Sequence, residues 1–67
     1  MVSSKEENML KKNTYETRKN LYTGDYELAY IDSAYQKHLL TFIFFKEMKK
    51  AKDILVNREG YKKANLF

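Results

Sequence analysis

The chain has 67 residues, of which 43% are apolar and 33% are charged, and its formal net charge is +4. A chain this short forms a single domain, 1–67, and buries only about 60% of its unfolded surface, so association with a second chain would add stability. It has no cysteine, one histidine and no proline, which excludes disulfides, thiolate metal sites and paired-histidine zinc sites. We therefore predict no metal and no cofactor.

The sequence also indicates where the protein acts. Residues 1–7 contain no apolar segment of the kind that a secretory signal requires, and the longest apolar run, 39–45, which is interrupted by Thr41, is too short to span a bilayer. We expect a cytoplasmic protein without a membrane span. Lysine, asparagine, isoleucine, tyrosine and phenylalanine, whose codons are AT-rich, supply 29 of the 67 residues. This composition is typical of a low-GC bacterium or of its phages.

The first predicted element is a short helix over residues 4–21. Ser3 and Glu6 have the spacing of a capping box, in which each side chain satisfies a free backbone N–H group at the start of the helix. Gly24 then ends the helix within a predicted turn over 22–25, because glycine adopts the positive φ that such positions require.

The second predicted element is a long helix over residues 26–58, followed by a tail over 60–67. No glycine or proline occurs between Tyr26 and Glu59, and the apolar spacing is helical rather than alternating. A strand at Leu40–Phe45 is the main alternative, because these residues are aromatic and β-branched. We reject the strand because no turn signal brackets it and no second strand is available to pair with it. The sequence therefore predicts an all-α fold with a short N-terminal helix and one long or split helix.

The predicted long helix has two apolar faces on nearly opposite sides, which overlap around residues 39–45. A break near Lys46 would turn both faces toward one core and give a three-helix bundle. A straight helix would form a helical hairpin with the first helix and leave the second face for a second copy of the chain. We favour the dimer, because an uncovered apolar face usually marks an interface. The face assigned to protein binding or self-association comprises Leu40, Phe44, Met48, Ala51 and Leu55.

The last third of the chain is the most basic part, with seven basic and three acidic residues over 46–67. Such a surface can bind phosphates through point-charge contacts and counterion release, although the same lysines also suit a plain solvated face. Because arginine is scarce, recognition of a duplex by its base sequence is not expected. The candidate polyanion-binding residues are Lys46, Lys49, Lys50, Lys52, Arg58, Lys62 and Lys63.

The chain offers no catalytic motif. His38, the only histidine, has Ala34 and Phe42 as its helical neighbours, so we interpret it as a packing residue. No nucleophile–base pair is recognisable, and we predict that the protein is not an enzyme. The leading hypothesis is a small regulatory or inhibitory adaptor that binds a protein, or a second copy of itself, through an apolar helix stripe. The alternatives are weak nucleic-acid binding without sequence preference and an amphipathic helix on a membrane surface.

Overall fold

A computed structural model describes residues 11–67, and within them the chain forms a mixed sheet with one helix packed on it. The sheet order is β3-β2-β1-β4; the first three strands of the chain are antiparallel neighbours, and β4 runs parallel to β1. In chain order the elements are β1 (Thr14–Lys19), β2 (Tyr26–Ile31), β3 (Lys37–Phe42), α1 (Phe45–Asn57) and β4 (Lys62–Lys63).

The all-α prediction and the helical bundle are therefore wrong. The predicted helix over 26–58 is helical only in α1, and its first half forms the antiparallel pair β2 and β3. The predicted helix over 4–21 contains β1 in its described part, whereas Ser3 and its capping box lie outside the described residues. The strand that we rejected at Leu40–Phe45 overlaps the second half of β3.

The turn between β2 and β3 explains this error. Asp32 makes the turn with its own side chain, whose Oδ1 accepts hydrogen bonds from the backbone N–H groups of Ala34 (2.8 Å) and Gln36 (2.9 Å). The backbone N–H of Asp32 also donates to the Gln36 carbonyl (3.0 Å), and Tyr35 takes a left-handed conformation with φ of +63°. A hairpin thus forms with an Asx turn and without glycine or proline, the two residues that signal a turn most strongly.

The burial of β2 explains why its pattern looked helical. β2 is a central strand covered on both sides, so Leu28 is buried on one face while Ala29 and Ile31 are buried on the other. A strand that is buried on both faces loses the alternation of apolar and polar residues that identifies a half-exposed strand. Consecutive apolar residues in β2 therefore fitted a helix equally well.

The helix covers one face of the sheet, which we call the helix face. α1 crosses β1, β2 and β3, and its inner side places Met48 in the core. Near the start of α1, the ring of Phe45 meets that of Tyr26 edge to face, with 5.4 Å between ring centroids. Gly60, with φ of +73°, follows the end of α1 and turns the chain toward β4 at the opposite edge of the sheet.

The C-terminal tail, residues 64–67, covers the other face of the sheet. Leu66 packs with Ala29 and Ile31, and Ala64 lies against this cluster. The Glu16 carboxylate accepts hydrogen bonds from the backbone N–H groups of Leu66 and Phe67. The sheet is thus enclosed by α1 on one side and by the tail on the other, which leaves the edge of β3 and the outer side of α1 at the surface.

Candidate functional site

The five residues that we assigned to one binding face do not lie on one surface. Met48 is buried, and Ala51 and Leu55 share its side of α1, at the spacing that places them against the sheet. Leu40 lies on β3, and Phe44 is the exposed residue that precedes the first turn of α1. The helical stripe is therefore divided between a core-facing part and a surface part.

The surface part belongs to a larger exposed apolar segment, residues 39–45, which runs along β3 and into the start of α1. This segment is the longest apolar run of the sequence, and the expected place for such a run is the core. Five of its seven side chains are instead between 39% and 72% exposed. They are Leu39, Leu40, Ile43, Phe44 and Phe45.

The strand that carries this segment lies at the edge of the sheet. Among the described strands, β3 pairs with β2 on one side and with none on the other. Edge strands usually carry charged side chains, proline or a bulge, which prevent pairing with another chain. Residues 38–42 of β3 contain no lysine, arginine, aspartate, glutamate or proline. Their one titratable side chain, His38, forms a hydrogen bond with Asp32.

The structure brings together only part of the predicted polyanion-binding set. Lys46, Lys49 and Lys50 lie on the outer side of α1, around a shallow hollow that also includes Glu47 and Asp53. The remaining basic residues are spread over other surfaces. Lys52 lines a cleft between α1 and β1, and its Nζ lies 3.6 Å from Asp53 Oδ1. Arg58 follows the end of α1. Lys62 and Lys63 are neighbours on β4 and therefore point to opposite faces of the sheet.

His38 has a carboxylate partner that the helical interpretation concealed. Its Nε2 lies 2.8 Å from Asp32 Oδ2 across the hairpin, and its ring stacks on Tyr30 with 4.7 Å between centroids. The hydrogen bond from His38, together with the backbone N–H groups of the turn, lowers the pKa of the Asp32 carboxyl. Burial, reinforced by the nearby negative charge of Asp32, raises the pKa of the Tyr61 hydroxyl, whose ring meets Tyr30 edge to face.

The hydrogen bond between His38 and Asp32 links the two sides of the β2–β3 hairpin. Asp32 lies only six positions before His38 in the chain, and the turn aligns them, so a hairpin assignment would have revealed the pair from the sequence.

Within residues 11–67, no three potential metal-ligating side chains come together, and no helix is long and apolar enough to cross a bilayer. The exposed apolar segment and the outer lysines of α1 are thus the two features that point to a binding role.

A second polar cluster lies on the opposite face of the sheet, beside the tail. Arg18 Nε donates to Glu27 Oε1 at 2.6 Å across the β1–β2 ladder, and the guanidinium stacks over the Phe67 ring at 4.2 Å. The hydrogen bond from Arg18, helped by one from Asn20, lowers the pKa of the Glu27 carboxyl. Lys37 Nζ donates to the Leu66 carbonyl oxygen at 2.9 Å. These charges are satisfied within the fold, which assigns them to holding the tail rather than to a ligand.

We compared the chain with models of protein families, with curated proteins and with solved structures. None of them matches this chain.

Proposed function

We propose that this protein is a small regulatory module that binds another protein through the exposed apolar segment, residues 39–45. The observation behind the proposal is the exposure of five apolar side chains in one continuous segment at a sheet edge. Leu39 and Leu40 point to opposite faces of the sheet, so the exposed side chains surround the edge of β3 and do not form one flat patch. Exposed apolar residues grouped in this way usually mark an interaction site, whereas single exposed apolar residues need no explanation. The absence of cysteine is consistent with the reducing cytoplasm, which we keep as the proposed compartment.

The proposed binding surface differs from the helix stripe that the sequence predicted. Met48 is buried, and Ala51 and Leu55 on the same side of α1 are half-buried, so this side of the helix is not the proposed surface. Leu40 and Phe44 remain in the proposed surface. Aromatic residues such as Phe44 give large contact area for little loss of side-chain freedom, which suits the centre of an interface.

Site-specific photo-crosslinking tests this function. A benzophenone amino acid placed at position 44 in the full chain, expressed in its source cells, is expected to form a discrete adduct with a protein on irradiation. The matched control is the same residue at position 63, because Lys63 is exposed and lies on β4, at the opposite edge of the sheet from β3. Equal labelling at the two positions, or no adduct at position 44, would contradict the proposal. The mass of the adduct reports whether the partner is a second copy or a different protein.

A second candidate function is weak binding of nucleic acid, which is favoured by one observation, the three lysines on the outer side of α1. Three phosphate contacts would make the affinity for an oligonucleotide fall about 40-fold between 50 and 200 mM salt. Replacing Lys46, Lys49 and Lys50 with glutamine is expected to remove most of this salt dependence in a fluorescence anisotropy titration. The control variant replaces Lys11, Lys12 and Lys19, which are also exposed, and so changes the net charge equally. The same loss in both variants would show that only net charge matters.

A further inference from the structure

We propose that β3 pairs with β3 of a second copy of this chain, so that two sheets join edge to edge into one continuous sheet. The inference rests on the proposed function and names the partner that its surface takes. It starts from the edge strand itself, whose central residues carry no charge to oppose a second strand.

The turn before β3 determines which backbone groups are free. The hydrogen bond from Asp32 N–H to the Gln36 carbonyl sets the alternation of the antiparallel ladder. Continuing this alternation along the register places His38, Leu40 and Phe42 in hydrogen-bonded pairs with β2. The N–H and C=O groups of Lys37, Leu39 and Thr41 therefore point to the edge that no strand within residues 11–67 covers, where they can donate to and accept from a second strand.

A symmetric pairing of two such edges is free of like-charge contacts. A two-fold axis through Leu39 aligns Lys37 of one copy with Thr41 of the other, and all the outward-pointing groups meet in hydrogen-bonded pairs. The two Lys37 residues would then be four residues apart along the strands, about 14 Å, which exceeds the screening length of about 8 Å at physiological salt. No other lysine or arginine lies between residues 25 and 45.

The position of α1 permits this assembly. An axis perpendicular to the sheet keeps both helices on the same face, and each helix lies over the middle of β1, β2 and β3. The two β2 strands would be three strand spacings apart, about 14 Å, whereas packed helices need about 8–10 Å between their axes. The two helices therefore do not collide, and they leave a narrow gap above the joined strands.

Apolar side chains are available to fill that gap. Leu40 shares the helix face with Leu28, its partner in the register, and is half exposed. Phe45 and Lys52 of α1 line the cleft next to Thr17, so the side of α1 that they occupy faces β1. Ile54 lies on the opposite side of α1, toward β3, and is also exposed. Pairing places Leu40 opposite His38 of the second copy and diagonal to its Leu40. It would bury Leu40 and Ile54 at the seam between the two copies, which favours a second copy over a partner that must supply a matching charge pattern.

The mass of the full chain in solution tests the inference. Light scattering coupled to size-exclusion chromatography is expected to show about 16 kDa, twice the chain mass of 8.1 kDa, at concentrations near 0.1 mM. Leu39→Lys places a charge at the centre of the edge, and Thr41→Pro removes an outward N–H group without touching the bonds to β2. Both variants are expected to retain the wild-type circular dichroism spectrum and to elute as monomers of about 8 kDa.

Leu21→Lys is the matched control, because it adds the same charge at an exposed leucine in the β1–β2 turn and should leave the dimer intact. A wild-type monomer up to 1 mM would overturn the inference, as would a dimer that survives Leu39→Lys and Thr41→Pro with the fold unchanged. A monomeric wild type that still forms an adduct from position 44 with a different protein would overturn only this inference. The absence of any adduct would count against the proposed function itself.

Discussion

Replacing Leu28 with alanine is expected to destabilise the fold by about 3 kcal/mol, because the truncation leaves a cavity in the core. Leu28 is fully buried at the centre of β2, between α1 and the rest of the sheet. A chain of this size has a total stability of about 3 to 10 kcal/mol, so the variant loses a third or more of it. Urea unfolding followed by circular dichroism measures the loss as a lower midpoint with an unchanged slope.

The control for this prediction is the same substitution at an exposed leucine. Leu21 lies in the β1–β2 turn and is 86% exposed, so Leu21→Ala should change the stability by no more than about 0.5 kcal/mol. Equal, small losses in the two variants would contradict the central position of β2.

Removing the contacts of the C-terminal tail is also expected to destabilise the fold strongly. Leu66→Ala should cost about 2 kcal/mol, since the side chain is buried against Ala29 and Ile31. Glu16→Ala should cost about 1 to 2 kcal/mol, because it removes the acceptor for the backbone N–H groups of Leu66 and Phe67. Both contacts hold one segment, so the double variant, measured by urea unfolding, should lose at least about 0.5 kcal/mol less than the sum of the single losses.

The tail also contains its own control. Asn65 lies between the docked residues and is exposed, so Asn65→Ala should leave the urea midpoint nearly unchanged. Additive losses in the double variant would mean that Glu16 and Leu66 act independently, which contradicts a tail held as one unit. The docking of Leu66 and Phe67 could not be predicted from the sequence, because nothing local to these residues indicates the distant Glu16.

Only part of the candidate binding surface could be predicted from the sequence. The run at residues 39–45 and the aromatic Phe44 stood out in the sequence because of their composition alone. Their exposure to solvent could not be predicted, because an apolar run is expected in the protein core. Met48, Ala51 and Leu55 share one side of α1, and on that side Met48 is buried in the core. Helical periodicity identifies an apolar face and does not identify what covers it.

Features that depend on composition and on neighbouring residues could be predicted from the sequence alone. These are the turn around Gly24, the amphipathic character of α1, the concentration of lysine after residue 45 and the lack of thiol chemistry. The assignment of residues 26–42 to two paired strands required the folded chain. Their burial comes from α1 on one face and the tail on the other, and the hairpin depends on Asp32 in place of glycine or proline. The contacts that bury β2, such as Leu66 against Ala29 and Ile31, join residues far apart in the chain, so the free energy that selects the hairpin is absent from any local window.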